Sequence, residues 1–168
     1  RDGVAIIGSE EDDDLLYVNT GGFGGPRYAV LFDPLDGSSN LDVGGSVGTI
    51  FSISIAGEGD GRLRPGREQI SAGYVLYGSS TIFVLTTGNG VQMFVLDPAV
   101  GAFIRVEENV LIPDFGPTYS VNEAYADTFP AAYRRYLCEC RANGFSSRYS
   151  GAMVADVHRV LINGGIFI

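Results

Sequence analysis

The residues best suited to chemistry in this chain lie in Asp33-Pro34-Leu35-Asp36-Gly37-Ser38-Ser39-Asn40, read together with Ser9-Glu10-Glu11 upstream. Pro34 fixes its own φ and pushes Asp33 toward extended geometry, while Gly37 can take a backbone conformation closed to other residues. The segment can therefore aim two carboxylates and the Leu35 carbonyl at one point. An all-oxygen cup of this kind suits a hard cation such as Mg²⁺, which keeps waters or substrate phosphate in its remaining positions. The amides and hydroxyls of Gly37, Ser38 and Ser39 would then face an anion. Taken alone, an Asp-x-x-Asp at a strand end also reads as an ordinary polar turn, and the run from Glu10 to Asp14 as a solvated acidic loop.

Several elements must hold that segment in place. Tyr28–Phe32 is a short apolar run that reads as a buried strand delivering the chain into a turn-rich loop at 33–37. Thr49–Ile55 alternates as a strand does. Pro65-Gly66 predicts a helix carrying Ile70, Tyr74 and Tyr77 at helical spacing, weakened by Gly73. Thr81–Thr86, Val91–Leu96 and Phe103–Val106, separated by glycine-rich turns, predict an antiparallel meander. Pro130 opens a second helix running to Gly144, and Ala152–Asn163 is a third, capped by Gly164. The closing Gly164–Ile168 reads as an apolar strand just under way. Strands and helices mixed in this way give a layered α/β (α+β) class.

Composition narrows the field further. With 168 residues, 45% hydrophobic, the chain is long enough for about one domain with a real core. A net charge of −9 repels phosphate backbones and anionic lipid, which argues against nucleic acid or a membrane as partner. No apolar run approaches the roughly 18 residues of a membrane span, and a soluble cytoplasmic protein is expected. All 11 basic residues are arginines, so a phosphate-holding cation must be a guanidinium or a recruited metal. Cys138 and Cys140, two apart on the predicted helix, point to different faces and read as idle thiols in a reducing compartment. His158 is the only histidine and reads as a structural helix residue, with Asp156 and Arg159 as helix or interface pairs. The first residue is an arginine and the last five open a strand, so both ends read as cut.

The string from Asp33 to Asn40 resembles the loop of metal-dependent sugar and inositol phosphatases, and the longer match resembles class I fructose-1,6-bisphosphatase. That resemblance continues through Ser46-Val47-Gly48-Thr49-Ile50-Phe51, Pro65-Gly66-Arg67, Ala72–Gly78, Leu96-Asp97-Pro98, Tyr119–Glu123 and Ala152–Arg159, covering nearly the whole chain in order. It implies a sugar-phosphatase fold with mixed sheets sandwiched between helix layers, here incomplete at both ends. Residues 1–168 would be one fragment of such a domain, with the metal and phosphate loop at about 9–40 and the sugar-binding half at about 65–168.

The implied activity is hydrolysis of the 1-phosphate of fructose 1,6-bisphosphate by metal-activated water, in gluconeogenesis or Calvin-cycle metabolism. Glu10, Asp33, Asp36 and the Leu35 carbonyl match metal ligands, and Glu11 matches the residue that polarises the attacking water. Two or more Mg²⁺ ions per site are implied, with Mn²⁺ or Zn²⁺ as alternatives. Gly37, Ser38 and Ser39 match the reacting-phosphate site. Asn122, Tyr125, Arg148 and Tyr149 match the distal 6-phosphate site, with Gly151 and Met153 beside the sugar. Arg148 matches an arginine donated by a neighbouring subunit, which implies a homo-oligomer, a tetramer in this family.

The family's remaining metal-binding carboxylates and a phosphate-binding lysine fall outside residues 1–168, so these residues alone are expected to be inactive. The link from Ile55 to Pro65 has no cysteine and does not resemble the redox loop of chloroplast enzymes. Sedoheptulose-1,7-bisphosphatase or an inositol-type phosphatase keeps the chemistry with another sugar. A non-catalytic phosphate- or metal-binding fragment is the alternative of a different class.

Overall fold

A computed structural model describes residues 3–18, 22, 24–57 and 64–168, so residues 58–63 of the Ile55–Pro65 link lie outside the described residues. The larger of two sheets contains β1 (Val4–Ser9), β2 (Leu16–Tyr17), β3 (Tyr28–Asp36), β4 (Val47–Ile55), β5 (Gln69–Tyr77), β6 (Thr81–Thr86), β7 (Val91–Asp97) and β8 (Ala102–Glu107). Its order is β2-β1-β3-β4-β5-β6-β7-β8, with β1 and β3 parallel and every other pair antiparallel. The smaller sheet is wholly parallel: β9 (Thr118–Ser120) lies between β10 (Ser146–Ser147) and β11 (Ile166–Phe167). Among the described residues two α-helices, α1 (Ala131–Ala142) and α2 (Met153–Asn163), complete the mixed α/β architecture.

The meander expected between Thr81 and Val106 is present as β6, β7 and β8. Both C-terminal helices also form where expected, α1 after Pro130 and α2 between Ala152 and Gly164. Cys140 is buried and Cys138 exposed, as opposite helix faces require. The closing apolar residues do form a strand, and it is paired with β9.

One expected element is different. The helix predicted from Pro65-Gly66 is a single 3₁₀ turn, Gly66–Glu68, that runs straight into β5. The spacing of Ile70, Tyr74 and Tyr77 fits a helix only by coincidence. Tyr74 and Leu76 recur with the period of two that puts them on one sheet face, and both belong to the same apolar cluster. Gly73 also has a reason to be glycine in a strand: a Cβ there would sit 2.5 Å from the Val84 carbonyl oxygen and 2.9 Å from the Phe51 ring. A central strand flanked by β4 and β6 leaves no room for the weak helical tendency to express itself.

Two apolar cores follow from this layout. Leu76, Ala152 and Val154 are buried between the large sheet and α2, with Ile50, Tyr74 and Ile82 packed around them. Tyr119, Val121, Leu137 and Cys140 are buried between the small sheet and α1, joined by Phe129, Phe145, Ile166 and Ile168. Burying a side chain of Val or Leu size contributes about 1.5–3 kcal/mol. Each helix is thus held by only a few such residues, and α2 touches both sheets through β4, β5 and β11.

Candidate active site

Asp33 and Asp36 are three residues apart, which in a regular strand would send their side chains to opposite faces. The turn-rich loop expected at 33–37 is largely strand: both aspartates belong to β3, and an irregularity in the pairing reconciles the spacing. Asp33 pairs with Ile50 and Asp36 with Gly48, so three steps along β3 match two along β4. Pro34, which has no N–H to give to a ladder, lies inside this bulge. Both aspartates therefore share the face that Ile50 and Gly48 present to α2. A Cβ on Gly48 would come within 2.7 Å of a Val154 methyl, so the helix sits directly over that register.

Hydrogen bonds fix the backbone of the bulge. The Leu35 N–H donates to Asp33 Oδ1 at 2.9 Å. The Thr49 hydroxyl donates to the Pro34 carbonyl at 2.9 Å and lies 3.0 Å from the Tyr77 hydroxyl. Asp36 reaches across 118 residues: the Met153 N–H donates to its Oδ1 at 3.2 Å and the Val154 N–H to its Oδ2 at 2.7 Å. These are unpaired donors of the first turn of α2, and the helix dipole adds to the attraction for a carboxylate there.

Gly37 follows at φ 75°, in the left-handed region, where a Cβ would lie 2.5 Å from the Ala152 Cβ. The 3₁₀ turn Ser38–Val43 then exposes Ser38 and Ser39. Glu10 continues β1, and its N–H donates to the Phe32 carbonyl at 3.0 Å. Glu10 and Asp33 thus stand side by side at the carboxyl ends of two parallel strands, where open α/β sheets gather their ligands. Glu11 is exposed beside them, its N–H donating to Ser9 Oγ at 3.3 Å.

The second set of predicted residues lies at the carboxyl ends of the small sheet. Ser147 pairs with Tyr119, and the Arg148 N–H donates to the Tyr119 carbonyl at 2.8 Å. Asn122 caps the 3₁₀ turn Glu123–Thr128, its Oδ1 accepting from the Ala124 N–H at 3.2 Å. Glu123 behind it takes the Tyr119 hydroxyl at 2.8 Å and pairs with Arg141. Tyr125, Arg148 and Tyr149 are exposed, and Gly151 takes φ 79° just before α2. The two sets meet at residues 150–154: Asp36 holds Met153 and Val154, Gly37 abuts Ala152, and the Asn40 side chain donates to the Ser150 carbonyl at 3.1 Å.

Sequence reasoning missed Asn40, Thr49 and the full role of Asp156. Asp156 has no exposed surface; it accepts the Ser150 N–H at 3.1 Å and Arg159 Nη1 at 2.8 Å. That Asp156–Arg159 contact is the helix pair expected from the sequence. The sequence shows only an acid in the first turn of α2, and its burial, which requires those partners, comes from the fold. His158 is structural, as expected: its Nδ1 lies 2.8 Å from the Tyr74 hydroxyl. Burial lowers the His158 pKa below its ordinary value and raises that of Tyr74.

Among the described residues no group of three or more His, Cys, Asp or Glu side chains converges closely enough to hold an ion. The donors at Glu10, Asp33, Leu35 and Asp36 are nonetheless all oxygens, the set a hard divalent cation takes. Asp36 keeps capacity for one while holding two amides, since an ionised carboxylate has about four lone-pair sites. An open cavity of about 730 Å³ starts at Glu10 and Asp33 and runs along Ile50 and Tyr74 to Val157 and Leu161. The two acids stand at one end of a mainly apolar lining that also carries Ser52, Gln69 and Thr86.

The family model for fructose-1-6-bisphosphatase, N-terminal domain, matches residues 1–108, and the one for the C-terminal domain matches residues 112–168. This chain belongs to the fructose-1,6-bisphosphatase family. The two matches divide between β8 and β9, where the large sheet gives way to the small one. The class 1 fructose-1,6-bisphosphatase of Persephonella marina is 49% identical over 164 residues, covering 96% of this chain and 50% of that protein. That of Crocosphaera subtropica is 46% identical over 172 residues, covering 98% and 49%. The holo-form crystal structure of the Leishmania major enzyme is similar with a TM-score of 0.87 at 40% identity, covering 98% of this chain and 55% of that one. The chain spans about half the length of the curated relatives it matches.

Proposed function

We propose that this chain supplies the metal loop and the distal phosphate site of an enzyme that hydrolyses the 1-phosphate of D-fructose 1,6-bisphosphate, releasing fructose 6-phosphate and phosphate. The observation that carries this reading is the junction at α2. Its first-turn amides bind Asp36 of the acidic bulge, while the segment leading into it carries Arg148 and Tyr149. One helix start therefore ties an oxygen-donor cup to a cationic and aromatic patch, which is what a substrate with a phosphate at each end requires.

Glu10, Asp33, Asp36 and the Leu35 carbonyl would hold the metal, Mg²⁺ by preference, together with family carboxylates from outside these residues. When bound, such ions neutralise the phosphate dianion and generate a nucleophile from water at neutral pH. Glu11, exposed beside Glu10, orients the water and draws off its proton as the new oxygen–phosphorus bond forms. The bond from phosphorus to the C1 oxygen breaks, and that oxygen leaves on the sugar and takes up a proton. Gly37, Ser38 and Ser39 offer amides and hydroxyls to the phosphoryl oxygens. Asn122, Tyr125, Arg148 and Tyr149 hold the 6-phosphate, with Gly151 and Met153 against the sugar.

The exposure of Arg148 supports its donation to a neighbouring protomer of a homo-oligomer, a tetramer in our reading. Among the described residues no helix is long and apolar enough to cross a membrane. The test is phosphate release from fructose 1,6-bisphosphate by the protein expressed from its complete reading frame, titrated with Mg²⁺, beside an Asp33→Ala variant. Release that depends on Mg²⁺ and is lost in the variant is expected; equal release by both would overturn the assignment.

A further inference from the structure

The side chain of Asn40 makes a contact that none of the roles above uses. Its Nδ2 donates one hydrogen to the Ser46 carbonyl at 3.0 Å and the other to the Ser150 carbonyl at 3.1 Å, across 110 residues. Both hydrogens of the amide are thereby used, and the group is half-buried. Gly151 lies against this side chain, its Cα at a positive φ of 79°. Asn40 ends the Gly37-Ser38-Ser39 stretch on one side, and Ser150 directly follows Arg148 and Tyr149 on the other.

The Arg148–Ser150 segment is braced from behind as well. Arg159 Nη1 donates to the Arg148 carbonyl at 2.9 Å and to Asp156 Oδ1 at 2.8 Å, while Asp156 Oδ2 accepts the Ser150 N–H at 3.1 Å. Those bonds fix the segment to α2 alone. Asp36 and Gly37 tie the small-residue turn to the start of α2, whereas the Asn40 bond joins the turn to the segment itself, and so adjusts the distance between the two phosphate-facing stretches.

We propose that Asn40 is a positioning residue that gauges this distance and so confers preference for substrates with two phosphates over those with one. The proposal rests on the substrate reading above. The span between the phosphates of a sugar bisphosphate is limited by the sugar, so a displacement of Ser150 by about 1 Å takes Arg148 and Tyr149 off the distal phosphate when the first is seated for reaction; misplacement on this scale costs about 10²-fold in rate. A substrate with only the reacting phosphate makes no use of that segment.

The test compares kcat/KM for fructose 1,6-bisphosphate and fructose 1-phosphate in the protein from its complete reading frame and in its Asn40→Asp variant. A carboxylate of the same shape turns two donated bonds into two repulsions with carbonyl oxygens. Asn40→Ser, which simply removes the bridge, serves if the first variant fails to fold by circular dichroism. The bisphosphate value should fall at least about tenfold while the fructose 1-phosphate value stays within about threefold. Competitive inhibition by fructose 6-phosphate, which carries only the distal phosphate, should weaken in parallel. A purely structural role would depress both substrates alike, and an unchanged ratio with unchanged inhibition overturns the proposal. If the unmodified protein hydrolyses fructose 1-phosphate as well as the bisphosphate, the substrate reading itself fails and the gauge with it; a preserved preference in the variant defeats the gauge alone.

Discussion

Replacing Asp36 by Asn tests whether this carboxylate is both a metal ligand and the clamp on α2. Viewed as a ligand in an exposed loop, Asp36→Asn should abolish turnover and leave the fold intact. Its two bonds from the Met153 and Val154 amides imply otherwise. The asparagine can keep one oxygen on the nearer Val154 N–H, but its NH₂ group then faces the Met153 N–H, donor against donor. One charge-assisted bond is lost, worth about 1.5–3 kcal/mol. The negative charge at the helix start goes too, worth about 0.3–1 kcal/mol. The sum is roughly 2–4 kcal/mol, or a melting point lower by roughly 5–15 °C for a chain of this size. The assay is thermal unfolding by circular dichroism in metal-free buffer, so that ligand loss does not contribute, followed by phosphate release with Mg²⁺. A variant that loses turnover yet melts within about 1 °C of the parent would refute the clamp.

Other consequences are as direct. Gly37→Ala should destabilise by about 2–5 kcal/mol, adding the cost of a left-handed alanine to a clash with Ala152, measurable by urea denaturation. Arg148→Ala should raise KM for fructose 1,6-bisphosphate roughly 10–100-fold with a smaller change in kcat, as expected for a lost guanidinium–phosphate contact. Mixing that variant with Asp36→Asn should restore activity in hybrid oligomers if Arg148 acts in trans; verified hybrids with none would place it in its own chain's site. For His158, burial holds the folded-state pKa below the ordinary 6.5, so the unfolded state binds more protons as the pH falls through 6.5. Its contribution to stability is therefore complete above about pH 6.5 and declines below it. His158→Gln should flatten the rise of stability with pH below about pH 6.5, and an unchanged slope in urea denaturation would contradict the assignment.

The candidate metal and phosphate loop was legible in the sequence because residues 33–40 are one contiguous run. Pro34 and Gly37 announce an unusual backbone, and the acids and serines around them announce the chemistry. Their actual setting was harder to see. A strand that continues through Pro34 by means of a bulge has no local signature distinct from a turn, since the register of β4 decides it. Likewise, the partners of Asp36 and Asn40 lie more than 100 residues away, so only the folded chain brings them together. The 65–77 segment misled for the complementary reason. Ile70, Tyr74 and Tyr77 carry the helical spacing and Tyr74 and Leu76 the strand period, and the choice is made by flanking strands that approach Gly73 too closely for any side chain. The meander and the last two helices were legible because glycine-rich turns, Pro130 and Gly164 mark their limits locally.

The most direct test of the central claim, that one site grips both phosphates and cleaves only the first, is ³¹P nuclear magnetic resonance of fructose 1,6-bisphosphate incubated with Mg²⁺ and the protein from its complete reading frame. The account predicts loss of the 1-phosphate resonance, growth of inorganic phosphate in equal amount, and a 6-phosphate signal that persists as fructose 6-phosphate. Accumulation of fructose 1-phosphate, or no phosphate released at all, would contradict it.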